Sequence, residues 1–157
     1  MGLSGIRLDA GFSGNEESIM TYNKFGLKVE LNVSNGTKYV DNVMSFRPNV
    51  ENFYGCHNFY THVYTGLSYD YFIKCSKQFK ELGIKTAAFV NAPSAEFGPW
   101  PVSEGLCRLE MHRDMPIDVQ AKHLFATGLI DDVIIANCFA SEDELEALRK
   151  LIGKCYN

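Results

Sequence analysis

Long apolar runs are missing from this 157-residue chain, and no stretch could cross a bilayer as a helix. No secretory signal follows Met1 either: the opening GLSGIRLD lacks both the basic start and the apolar core of one. Runs of Lys and Arg are also lacking. With 15 basic against 19 acidic residues the formal net charge is -4, which argues against a broad nucleic-acid footprint. Cys56, Cys75, Cys107, Cys138 and Cys155 are odd in number, widely spaced and form no C-x-x-C pair. That pattern argues against a disulfide framework or a zinc site and suits reduced thiols in a cytoplasmic protein. No linker or low-complexity segment divides the chain, so one domain spanning 1–157 is expected.

What the sequence does have is alternation. Five short apolar runs read as strands: 5–9 (GIRLD), 27–32 (LKVELN), 52–59 (NFYGCHNF), 85–91 (KTAAFVN) and 132–137 (DVIIAN). Helical patterns lie between them. The segment 68–82 opens on Ser68 as N-cap and carries Phe72, Cys75, Phe79 and Leu82 on one face. Gly83, Gly26 and Gly128 each close a helix just before a strand. Ser141 and Glu144 form a capping box ahead of Leu145, Leu148 and Ile152. Strand and helix in unbroken alternation predict a mainly parallel α/β sheet with right-handed crossovers. The irregular stretch 92–114, with Pro93, Pro99, Trp100 and Pro101, is long enough to be a functional loop.

Two strands carry charge where a doubly covered parallel sheet should be apolar. Ile6 and Leu8 alternate with Arg7 and Asp9; Leu27, Val29 and Leu31 alternate with Lys28, Glu30 and Asn32. Period two places each polar set on one face, which in a closed barrel is the interior. The other strands end in Cys56-His57-Asn58-Phe59-Tyr60, Asn91 and Asn137. All five therefore finish in hydrogen-bonding side chains at the carboxyl edge, where barrel enzymes build their sites.

The strings GIRLDAGFS, GLKVELNVSN, GCHNFYTHVYTGLS, GIKTAAFVN, EGLCRLEMHR and IDDVIIAN together resemble the MupG family of bacterial 6-phospho-N-acetylmuramidases. The segments HNFY-x-x-x-YTGLS (57–68) and EGL-x-x-LE-x-HR (104–113) are the most specific. The resemblance implies a (β/α)8 TIM barrel with a smaller C-terminal domain. It also implies cytoplasmic hydrolysis of a glycoside of N-acetylmuramic acid 6-phosphate in peptidoglycan recycling. Aligned by these motifs, 5–9 corresponds to the fourth barrel strand and 132–137 to the eighth. The expectation is thus a partial TIM barrel of about five βα units, lacking the first three units and the C-terminal domain. A complete barrel takes about 250 residues. The shortened chain is expected to show little turnover alone.

Glycoside hydrolysis commonly uses two carboxyl groups, and Asp9 with Glu30 is the leading catalytic pair. The competing reading is that Arg7 and Glu30 neutralise each other inside the barrel. Substrate contacts are expected from Arg7, Asn32, His57, Asn58, Tyr60, Asn91, Glu104 and Arg113. His57 and Asn58 would bind hydroxyl or acetamido groups, and Tyr60 and Tyr64 would form apolar walls. Arg113 would grip the 6-phosphate in a bidentate contact. Buried packing of His57 and a solvated-loop role for Arg113 are the plain alternatives. No cofactor or metal is expected on this reading. A rival enzyme class, a metal-dependent sugar isomerase or aldolase, would use Asp9, Glu30 and His57 as ligands. A non-enzymatic rival is an inactive remnant, or a chain that self-associates or pairs with one supplying the missing strands.

Overall fold

The computed structural model describes residues 2–8, 10–36 and 38–152. Five strands and five α-helices alternate without exception: β1 (Gly5–Arg7), α1 (Asn15–Met20), β2 (Lys28–Asn32), α2 (Tyr39–Ser45), β3 (Phe53–Cys56), α3 (Tyr69–Glu81), β4 (Lys85–Val90), α4 (Ile117–Ala126), β5 (Asp132–Ile135) and α5 (Glu142–Ile152). The strands form one sheet in the order β1-β2-β3-β4-β5, and every pairing is parallel. The sheet curls into a half-barrel. Each expected strand is present, with somewhat narrower bounds.

Alternation in β2 decides which face is which. Val29 and Leu31 are buried while Glu30 and Asn32 are half-buried on the opposite side. The apolar set packs outward with Val40 and Val43 of α2, Phe53 of β3, and Cys75 and Phe79 of α3. A second cluster joins Ala88 and Val90 of β4 to Phe72 of α3, Ala121 and Leu124 of α4 and Leu148 of α5. Each fully buried Leu, Val or Phe contributes about 1.5–3 kcal/mol relative to exposure, so these two clusters hold the helices on the convex side. Gly55 lets α3 come close to β3. A Cβ there would lie 2.7 Å from Phe79 Cδ1 and 2.8 Å from Val33 Cγ2.

Helix ends follow the sequence signals. Gly83 and Gly128 adopt φ of 75° and 67°, the left-handed conformation that closes α3 and α4. In the α5 box, Ser141 N–H donates to Glu144 Oε2 at 2.8 Å and Glu144 N–H to Ser141 Oγ at 3.3 Å. Ser68 stands at the N-cap of α3, yet its hydroxyl makes no capping hydrogen bond. The stretch after β4 is not featureless: Glu110–His112 forms a 3-10 turn, and bridges tie Cys107 to Tyr60 and Phe97 to Cys138.

Candidate functional site

On the concave face Arg7, Glu30 and Tyr54 stand level with one another across β1, β2 and β3. The Arg7 guanidinium donates to Glu30 Oε1 through Nη1 and to Asn58 Oδ1 through Nη2. The Arg7 and Glu30 side chains are 27% and 20% exposed, so the pair is neither solvated freely nor sealed. Further along, the Tyr54 hydroxyl donates to Asp132 Oδ2, and burial followed by the Asp132 charge pushes its phenol above the usual range. Arg7 and Glu30 thus form an ion pair, and the other edge of Arg7 holds Asn58. Asp9, the other expected carboxylate, lies outside the described residues.

Above this pair opens a cavity of about 560 Å³, lined by Arg7, Asn58, Tyr60, Thr61, Phe89 and Trp100 among others. Its size falls in the range of small-molecule sites. Two anchors fix its floor. Asn58 N–H donates to Ser34 Oγ at 2.9 Å, and Tyr60 N–H donates to the Cys107 carbonyl at 2.9 Å. Arg7 also lines a second opening of about 410 Å³ with Gly5, Ile6, Lys28, Glu30 and Tyr54. One guanidinium thus connects the carboxylate to the cavity.

Several expected contacts fall elsewhere. His57 is fully buried and points away from the cavity. Arg108 donates to its Nδ1, so Nε2 carries the proton and donates to Ser76 Oγ at 2.8 Å. Burial, then the Arg108 and Arg7 charges, hold its imidazole well below the usual pKa. Both ring nitrogens of His57 are therefore engaged within the core. Asn32 is a cap: its Oδ1 accepts from Ser34 N–H at 2.8 Å and ends β2 in a 3-10 turn. Arg113 is 6% exposed and all five of its N–H groups have acceptors: Glu110 Oε1 and Oε2 and the carbonyls of His62, Glu104 and Gly105. It has no donor left for a phosphate. Tyr64 is 91% exposed, with φ of 66°, and lines neither the cavity of about 560 Å³ nor the opening of about 410 Å³.

Asn91 and Glu104 line a separate polar cavity of about 360 Å³ with Asn137 and Ser103. Asn91 Oδ1 accepts from Leu106 N–H at 2.9 Å and from Asn137 Nδ2 at 3.1 Å, so the two strand-end asparagines brace each other. Glu104 Oε2 accepts from Val63 N–H at 2.9 Å. Of the expected substrate contacts, the structure gathers Arg7, Asn58 and Tyr60 around one cavity and Asn91, Glu104 and Arg113 around the other, with Asn32 and His57 at neither. Sequence reasoning missed Arg108, which is fully buried and donates to Ser34 Oγ at 2.9 Å and to the Asn58 carbonyl at 3.2 Å. Burial pulls its guanidinium down to about 10. Its signal was available: a lone cation inside the apolar run Leu106-Cys107-Arg108-Leu109, all four of them fully buried. A cavity at the carboxyl edge of the strands lies where barrel enzymes build their active sites.

The family model described as 6-phospho-N-acetylmuramidase, N-terminal (MupG_N) matches residues 1–150. The chain belongs to this family. Among solved structures, an uncharacterized B. cereus protein is 59% identical, with a TM-score of 0.89 over 92% of this chain and 42% of its own. A conserved protein from an Enterococcus faecalis locus, of unknown function, is 25% identical, with a TM-score of 0.78 over 90% of this chain and 39% of its own. The chain therefore spans about two-fifths of the length of these two structures. None of the curated proteins matches it. Among the described residues no helix is long and apolar enough to cross a membrane.

Proposed function

We propose that this chain supplies the catalytic face of a glycoside hydrolase acting on glycosides of N-acetylmuramic acid 6-phosphate, in cytoplasmic peptidoglycan recycling. The five units would be the fourth to eighth of an eight-unit barrel, in keeping with the motif order and the strictly sequential sheet. The observation that carries the reading is Glu30, held by Arg7 on the concave face beside the sugar-sized cavity. Glu30 and Asp9 divide the two carboxyl roles that glycoside hydrolysis requires, one donating a proton to the leaving oxygen, the other acting as base or nucleophile. Asn58 and Tyr60 bind the ring beside them. The 6-phosphate is not assigned to Arg113.

The metal-dependent isomerase reading loses its imidazole, because His57 faces Ser76 and Arg108 rather than Glu30. The test is an assay with a chromogenic 6-phosphomuramide, on this chain and on a full-length relative carrying the same motifs. The counterparts of Glu30→Gln and Asp9→Asn in that relative should lower kcat by about 10²-fold or more. Retention of kcat within a few-fold in both variants overturns the assignment. This chain alone should turn over little, since catalysis depends on positioning from every wall of the site.

Pairing between chains is a second reading, favoured by the opening of about 410 Å³ where β1 forms a sheet edge on the concave side. Edge strands present unpaired backbone groups that another copy, or a chain supplying further strands, can satisfy. Sedimentation that shows monomer across the micromolar range removes the self-association form of this reading.

A further inference from the structure

We propose that Trp100 is the stacking platform for the sugar ring in the cavity above Arg7; this rests on the glycoside reading. Trp100 lines that cavity and is 61% exposed. The other large rings there each have a face or an edge already packed. Phe59 and Phe89 pack edge-on at 5.1 Å and 89°, and Tyr60 lies over the Arg108 guanidinium at 5.7 Å. An exposed indole beside hydrogen-bonding groups suits a ligand with one apolar face and one hydroxylated edge, which is the anatomy of a pyranose. Asn58, Thr61 and Thr65 supply the polar side of the cavity.

The loop around Trp100 is built to hold it out. Pro99 and Pro101 flank it, fixing their own φ and restricting the residue before each. At Gly98 the chain folds back so tightly that a Cβ would lie 2.7 Å from Val102 Cγ1. On either side the loop is tied down: the Phe97 carbonyl accepts from Cys138 N–H at 2.7 Å, and the Val102 carbonyl from Gly105 N–H at 2.8 Å. An aromatic ring on such a short, pinned turn loses little freedom on binding, which favours affinity.

Trp100 is the sole tryptophan, so intrinsic emission reports on this residue alone. The chain is titrated with N-acetylmuramic acid 6-phosphate and with N-acetylglucosamine, following emission and calorimetric heat in parallel. A saturable change in emission that tracks the heat is expected. Trp100→Ala should weaken binding about tenfold and Trp100→Tyr should largely restore it; circular dichroism checks that both variants fold. If a sugar binds by calorimetry without changing emission, or binds Trp100→Ala as tightly as the parent, Trp100 is not the platform and the glycoside reading stands. If neither sugar gives heat or an emission change, the platform fails, and the assay on the full-length relative decides the glycoside reading separately.

Discussion

Arg113 grips Glu110 through two parallel hydrogen bonds, Nε to Oε1 at 2.8 Å and Nη2 to Oε2 at 2.7 Å. Glu110 in turn accepts from the Tyr64 and Gly66 N–H groups, both at 2.8 Å. The pair thereby fastens the loop after β3 to the loop after β4, and those two loops form the cavity's upper wall. The Arg113 hydrogen bonds, with the backbone N–H groups of Tyr64 and Gly66, pull the Glu110 carboxyl down to about 2.

Breaking this clamp should cost stability and open the wall. Arg113→Ala leaves a charge without its partner and is expected to destabilise the fold by roughly 2 kcal/mol. Arg113→Lys should recover only part of that, because an ammonium cannot reproduce the planar fork. Urea titration of the three proteins checks the order; equal midpoints for all three would contradict it.

Acid sensitivity should come first from a histidine. Burial, then the neighbouring His123, lowers His112 to about 4 from an ordinary 6.5, and its Nδ1 has no partner among the described residues. The unfolded chain binds the extra proton more readily, so this contribution is intact above pH ~6.5 and is lost as pH falls toward ~4. Its full size is on the order of 3 kcal/mol. Glu110 adds a second loss below its ordinary 4.5, as its lowered folded pKa is approached. Chemical unfolding of His112→Gln between pH 7 and 4 should show a shallower slope than the parent; an unchanged slope assigns the effect elsewhere.

Gly55 should resist any side chain. Its Cβ position is already taken by Phe79 and Val33, so Gly55→Val forces α3 off the sheet at a cost of about 1–3 kcal/mol. The same change at Gly26, where an added Cβ meets nothing within 4 Å, is a control for φ strain alone. Gly55 has no left-handed φ, so its loss reports packing alone; thermal melts read both, and an unchanged midpoint for Gly55→Val would mean that packing there is not limiting.

Arg108 is predicted to be a structural cation that aims the cavity floor. Arg108→Ala removes donors from His57, Ser34 and Asn58 and leaves a buried void, together about 3 kcal/mol or more. In nuclear magnetic resonance the His57 ring should then lose its single Nε2–H tautomer; an unaltered tautomer would place the orienting group elsewhere.

Much of this molecule is written locally. Val29 and Leu31 against Glu30 and Asn32, the glycines at 83 and 128, and the Ser141–Glu144 box all work within a few residues. Period, backbone freedom and capping chemistry therefore reveal them without knowledge of partners. Through them the sequence determined five βα units, a parallel sheet and the face on which Arg7 and Glu30 lie. Only the tertiary structure decided which polar groups face a ligand. His57 and Asn58 are adjacent in sequence, yet one turns to Arg108, 51 residues away, and the other to Arg7, also 51 residues away. In sequence Arg113 is open to a phosphate or to solvent, whereas in the fold its donors are met by Glu110 and three carbonyls. A side chain's free hydrogen-bonding capacity is what remains after its long-range partners are met, and those partners are set by packing rather than by the neighbouring letters.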